Sequence, residues 1–145
     1  MTSKIITTET DLEKAFFIRK RVFVEEQEIP LELEFDEFDQ LNHQCSHVLV
    51  EYNDEAAGTG RIRYVDGVGK LERICILPDY RKFGLGKIVI TALEDIAKNK
   101  GVSKVKLHGQ EHAAGFYRKL GYEAASDIFI EDGIPHLLMV KNLLK

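Results

Sequence analysis

The sequence predicts an α/β domain in which a mixed sheet carries helices on both faces, and three observations predict it. Three strand-like segments lie between positions 47 and 77, separated by the turn signals Asn53-Asp54 and Asp66-Gly67. The third of them, with Leu71, Ile74, Ile76 and Leu77, stops at Pro78 and gives way to a glycine-bearing basic turn and then to apolar residues at helical spacing from Ile88 onward. One further strand, a short helix and a terminal hairpin complete the order βββ-α-β-α-ββ after an N-terminal helical region.

Taken in order, Thr10-Asp11-Leu12-Glu13 has the form of a capping box, which predicts a first helix running to about Glu25 with Leu12, Phe16 and Phe23 on one face. From Leu31 to His43 no period is clean, and an irregular or briefly helical loop is expected. Strands follow over 47–52, 56–65 and 70–77. A helix from Lys87 to Lys100 places Val89, Leu93 and Ile96 on an inward stripe and ends at Gly101. Val102 to Gly109 reads as a strand, and His112 to Leu120 as a short helix stopped by Gly121. The segments 122–130 and 135–143 read as a hairpin that turns at Asp132-Gly133.

The 145 residues suffice for one core, so the whole chain, 1–145, is expected to be a single domain. Hydrophobic residues at 44% and charged residues at 30% describe a globular protein. No apolar run approaches a bilayer span and the start Met1-Thr2-Ser3-Lys4 lacks a signal-peptide core, so a cytoplasmic protein without a membrane partner is expected. A net charge of -4 argues against a nucleic-acid partner. Cys45 and Cys75 are too few for a disulfide framework and have no metal-ligand spacing, so both are expected as free thiols and no metal is required. Acidic residues crowd the stretch from Glu25 to Asp39 without one Lys or Arg, either as a solvated loop or as a field that steers a cationic acceptor.

The turn Arg81-Lys82-Phe83-Gly84-Leu85-Gly86-Lys87 is the most informative segment. Gly84 and Gly86 let the backbone curl so that amide N–H groups converge at a helix start, and Arg81, Lys82 and Lys87 surround them with positive charge. Such a site fits a pyrophosphate. One residue between the glycines, and Ile88 after Lys87, exclude a Walker A loop. Val89 stands where a dinucleotide fingerprint needs its third glycine, so nicotinamide cofactors fall away as well.

Arg81-Lys82-Phe83-Gly84-Leu85-Gly86 resembles the R/Q-x-x-G-x-G/A signature of the GCN5-related N-acetyltransferase (GNAT) superfamily. Gly115-Phe116-Tyr117-Arg118-Lys119-Leu120-Gly121-Tyr122, about thirty residues downstream, resembles that family's later FYxKxGY helix and turn. The segments Arg21-Val22-Phe23-Val24-Glu25-Glu26-Gln27 and Glu131-Asp132-Gly133-Ile134-Pro135-His136 look like a small bacterial branch of it. The resemblance implies the GNAT fold and an acetyl-CoA-dependent N-acetyltransferase acting on a primary amine of a small molecule or peptide by direct attack in a ternary complex. It leaves a homodimer open.

It also implies roles for residues. The turn from Arg81 through Leu85 and Gly86 to Lys87, with Phe83 in it, would hold the phosphates of coenzyme A. Ile74, Cys75 and Ile76 would lie beside the pantetheine arm, paired through the backbones of Ile74 and Ile76, with Phe116 in contact. An alkylamine is mostly protonated at neutral pH, its pKa being about 10, so a base is needed. Glu72 is the candidate; the competing reading pairs it with Arg61, Arg63 or Arg73 on a sheet face. His108 and Gln110 end the next strand and could line the same notch, His108 as a proton relay or as a structural histidine. Tyr117 matches the family tyrosine that protonates the leaving thiolate, against a tyrosine merely packed beside Phe116 and Leu120. Phe23, Glu26 and His136 fall on the acceptor side. The rival readings are a noncatalytic acyl-CoA-binding or regulatory module and a phosphate-binding protein of unrelated fold.

Overall fold

The computed structural model describes residues 1–41 and 44–143. Strand β1 (Thr2–Ile5) opens the chain with every side chain exposed and pairs antiparallel with β2 (Cys45–Tyr52). Nothing in Thr-Ser-Lys-Ile alternates in hydrophobicity, so this edge strand leaves no trace in the pattern. Helix α1 (Glu9–Arg19) is capped two residues earlier than expected. Thr8, extended at φ −124 and ψ 151, accepts a hydrogen bond from the Asp11 amide at 3.2 Å, and Thr10 lies inside the first turn. The helical path continues from Lys20 to Glu26 with wider π-type turns, and Glu28 follows in the left-handed region at φ 61. Within the expected loop, Leu31–Glu34 makes the single turn α2; its last two positions, 42 and 43, lie outside the described residues.

Strands β2, β3 (Glu55–Val65) and β4 (Val68–Ile76) form consecutive hairpins. Their two-residue turns, Asn53-Asp54 and Asp66-Gly67, have both central residues at positive φ, the mirror-image geometry that matches strand twist. Helix α3 (Leu85–Asn99), strand β5 (Lys104–Gln110) and helix α4 (Ala114–Lys119) follow. The expected strand 122–130 is broken into β6 (Glu123–Ala124) and β7 (Phe129–Glu131), which pair with different parts of β8 (Ile134–Asn142). Between them Ser126 Oγ accepts from the Leu138 amide at 3.0 Å and the Ala125 amide donates to the Leu138 carbonyl at 2.8 Å, so a side chain replaces one rung of the ladder. The turn between β7 and β8 is the expected Asp132-Gly133.

The described strands form one sheet of eight, ordered β1-β2-β3-β4-β5-β8-β6 with β7 also on β8, and only β4 and β5 run parallel. Alternation along β2 explains the two layers. Val48 and Val50 pack with Val89, Ile90 and Leu93 of α3, whereas Leu49 packs with Leu12, Ala15 and Ile18 of α1. The sheet is therefore covered on both faces, as the sequence pattern predicts.

A bulge in β4 interrupts that alternation. Thr59 pairs with Cys75 and Arg61 with Glu72, so Gly60 on β3 faces both Arg73 and Ile74, and Arg73 takes φ 57. The added residue returns Cys75 to the α1 face and Ile76 to the α3 face. It also bends β4 at the point where its pairing with β5 ends.

Candidate active site

Parallel pairing between β4 and β5 runs over Gly69–Val105, Lys70–Lys106 and Leu71–Leu107 and then stops. Past that point the β5-facing edge of β4 from Glu72 to Ile76 has no strand beside it, and the two strands diverge around a cleft of about 890 Å³. Its walls come from β4, β5, the Lys20–Glu26 segment, the start of α3, helix α4 and the β7–β8 turn.

At one end lie Arg81, Gly84 and Gly86. Gly84 is the N-terminal flanking residue of α3 in the left-handed conformation at φ 71, and no side chain caps the helix there. The first amides of a fifteen-residue helix thus open beside the cleft without a side-chain acceptor. A Cβ on Gly86 would stand 3.1 Å from Phe116 Cζ, a tight contact that the ring would have to relieve by a small shift, so helix start and α4 approach closely here. Arg81 donates from Nε to the Ile76 carbonyl at 3.1 Å, which directs its guanidinium along the cleft, and Nη1 donates to Glu26 at 2.7 Å.

The side chains of four residues of the expected phosphate turn point elsewhere. Leu85 is fully buried in the α3 core, and Phe83 stacks on Tyr52 with ring centroids 4.2 Å apart. Lys82 sits over the Phe83 ring at 5.4 Å. Lys87 turns toward a separate groove of about 250 Å³ beside Lys119 and Lys141. The reason is helical: successive residues at a helix start point about 100° apart, so the turn's side chains cannot all face one ligand.

Glu72 takes the sheet-face position of the competing reading. Arg61 Nη2 donates to its Oε1 at 2.9 Å, Arg63 Nε to the same oxygen at 3.0 Å, and Lys70 Nζ lies 3.0 Å from Oε2. Burial pushes this carboxyl up, but the hydrogen bond from Arg63 and the charges of Arg61 and Lys70 outweigh it and hold the pKa down at about 2. Arg73, the third expected partner, instead donates to the Glu34 carbonyl at 3.2 Å.

The acidic stretch is likewise only partly solvated. Glu34 and Asp39 are bound by Arg19 and Asp36 by Arg61, whose guanidinium also reaches Asp39, while Glu25, Glu28, Glu32 and Glu37 stay exposed. Three of its carboxylates are neutralised inward, so they do not form the steering field. Arginines distant in sequence supply the charge that the local stretch lacks.

His108, Gln110 and Tyr117 line the cleft together with Phe23, Glu26 and His136, and of these Glu26, placed on the acceptor side in the sequence reading, is held by Arg81. Burial pushes the Tyr117 phenol up to about 12, so it is protonated at neutral pH. Its ring lies where a Cβ on Gly109 would come within 2.9 Å. Gln110 Nε2 donates to Gln27 Oε1 at 2.9 Å, so the neighbours Glu26 and Gln27 reach the two diverging arms, one through Arg81 and one through Gln110. Cys75 also lines the cleft; burial raises its thiol pKa, and both cysteines are free. Sequence reasoning did not single out Gln27 or Glu131. Glu131 Oε1 lies 2.9 Å from His108 Nδ1, a pairing across 23 positions that no local motif signals. No cluster of candidate metal ligands occurs among the described residues.

The model of the Acetyltransferase (GNAT) family matches residues 10–122. The chain is 57% identical to the uncharacterized protein YyaT of Bacillus subtilis (strain 168), over 99% of this chain and 97% of that protein. It is 42% identical to the uncharacterized N-acetyltransferase YjcF of the same organism, over 98% and 100%. Among solved structures, an aminoglycoside 6'-N-acetyltransferase complexed with coenzyme A superposes with a TM-score of 0.82 at 15% identity, over 100% of this chain and 98% of that one.

Proposed function

Because the chain belongs to the acetyltransferase (GNAT) family, we propose that it transfers an acetyl group from acetyl-CoA to a primary amine of a small molecule or peptide, by direct attack in a ternary complex in the cytoplasm. The observation that carries this reading is the divergence of β4 and β5 beyond Leu71 and Leu107, with the uncapped start of α3 opening at one end of the resulting cleft. The residues present fit coenzyme A. The α3 amides, Gly84 and Arg81 would hold a pyrophosphate, and the free edge of β4 around Ile74 and Ile76 would pair with an extended amide-bearing arm. The aminoglycoside 6'-N-acetyltransferase solved with coenzyme A has this fold. Acetyl-CoA supplies an acyl group already activated as a thioester.

The remaining work falls to the chain's own groups. An acceptor ammonium must lose a proton, and a carboxylate with pKa about 2 is a weak base for that task. Among the residues expected from sequence, this moves the role from Glu72 to His108. Glu72 would instead set the charge and shape of the cleft floor. The protonated Tyr117 hydroxyl donates to the departing thiolate sulfur. Phe23, Gln110 and His136 bound the acceptor side.

Calorimetric titration with CoA and acetyl-CoA, joined to a thiol-release assay over polyamines, amino sugars, amino acids and peptides, tests the proposal. Binding with acceptor-dependent release is expected. Binding without release on any acceptor would favour the noncatalytic acyl-CoA-binding module, and no binding would overturn both.

A further inference from the structure

We propose that Glu131 is a positioning residue whose carboxylate fixes the tautomer of His108, leaving Nε2 as the nitrogen that takes the proton from the acceptor amine. The inference rests on the role given to His108 above. His108 Nδ1 and Glu131 Oε1 are 2.9 Å apart. An ionised carboxylate can only accept, so Nδ1 carries the hydrogen, and a neutral imidazole then has its lone pair on Nε2.

The terminal hairpin builds this contact. Glu131 pairs with Ile134 at the end of β7, and His108 pairs with Leu138 on the other side of β8, so the strand between them sets their separation. The second carboxylate oxygen faces another imidazole: His136 Nε2 lies 3.8 Å from Glu131 Oε2, while His136 Nδ1 donates to the Ile134 carbonyl at 2.7 Å. The Phe129 ring stands edge-on to His108 with centroids 5.1 Å apart and stacks on His136 at 6.0 Å, which restricts both rings.

In the step itself an N–H bond of the acceptor ammonium breaks, its electron pair stays on nitrogen, and the proton bonds to His108 Nε2. The imidazolium so formed faces the negative charge of Glu131. The hydrogen bond with His108 is the main cause holding the Glu131 carboxyl below its usual range, and His136 and Lys70 act in the same sense. Glu72 and Asp132 are the other carboxylates lining this part of the cleft, and Tyr117 the facing phenol.

The test reads the tautomer directly, by nitrogen NMR of protein labelled at histidine, with His108→Gln identifying the signals. In the parent protein His108 is expected with Nδ1 protonated and Nε2 bare. Glu131→Ala should shift it toward the opposite tautomer. Glu131→Gln, which keeps an acceptor oxygen without the charge, should preserve the Nδ1–H form. In the thiol-release assay with acetyl-CoA and the best amine of the panel, Glu131→Ala should lower kcat at least about tenfold with KM for acetyl-CoA within about twofold, and Glu131→Gln should recover part of the rate. The Glu131 side chain is 42% exposed on a hairpin, so these variants are expected to fold. An unchanged His108 tautomer in Glu131→Ala overturns the proposal whether or not acyl transfer stands, because that reading needs no acceptor. A changed tautomer with unchanged kcat overturns it too.

Discussion

Glu26 and Arg81 face each other across the mouth of the cleft, and the carboxylate engages both terminal nitrogens of the guanidinium. The cation best placed for a phosphate therefore already has an anion as partner. Glu26→Gln should tighten coenzyme A binding about three- to tenfold, and Arg81→Ala should weaken it. Both effects should shrink at high salt, since the pair is partly exposed. Calorimetric titration at two ionic strengths checks this, and equal affinity of Glu26→Gln and parent at low salt would argue that Arg81 does not meet the phosphates.

Gly86 separates binding from stability. Its φ lies outside the positive region, so alanine suits its backbone, and within a helix alanine is favoured over glycine by about 1 kcal/mol. Yet the added methyl would press on Phe116 at 3.1 Å. Gly86→Ala should lose coenzyme A affinity about tenfold with little change in melting temperature. Gly86→Glu should abolish binding.

Removing the Tyr117 hydroxyl leaves intact the ring's contacts with Phe116, Tyr122 and Gly109. Tyr117→Phe is therefore expected to keep coenzyme A affinity and thermal stability while kcat falls about a hundredfold, the lower range for losing a general acid. A kcat equal to that of the parent protein would remove Tyr117 from the chemistry.

Stability should fall in acid through the charge network under the loop. Glu72 and Asp36 have pKa values of about 2 in the folded protein, against ordinary values of 4.5 and 3.8. In both cases burial opposes the shift and arginine contacts win. A depressed folded pKa means that the native state binds fewer protons than the unfolded one. The contribution is complete above about pH 4.5 and is lost as pH falls toward 2. Asp36 contributes less because its side chain is 31% exposed, and Glu34, raised by burial, works in the opposite sense. Urea midpoints measured from pH 7 to 3 should hold level and then drop below 4.5, with a flatter drop in Glu72→Gln.

Arg61 is the centre of that network, with Asp36, Asp39 and Glu72 all accepting from it while its own side chain is buried. Arg61→Ala leaves three carboxylates without their shared cation and should cost about 3–5 kcal/mol in denaturant unfolding. A loss below about 1 kcal/mol would show that the remaining arginines compensate.

Most of the fold was legible because its signals are local. The turns at Asn53-Asp54, Asp66-Gly67 and Asp132-Gly133 and the stripe of Val89, Leu93 and Ile96 each follow from residues close in sequence. The departures are also local in kind: Thr10 offers the same hydroxyl as Thr8 two positions later, β1 has no buried residue to mark it, and the strand 122–130 breaks where Ser126 takes over a backbone rung.

By itself, then, the chain's order of residues determined the α/β architecture and the glycine turn at a helix start, while the family resemblance pointed to His108, Gln110, Phe116 and Tyr117. The architecture and the turn depend on backbone periodicity and on glycine's conformational freedom, which neighbouring residues decide. Only the tertiary structure decided where β4 and β5 part, that Glu72 is held by Arg61, Arg63 and Lys70, and that Glu131 reaches His108. Strand separation and the proton affinity of a carboxylate depend on partners brought together from distant positions. A charge pattern along the chain does not state which cation will lie within 3 Å of which anion, because packing chooses it.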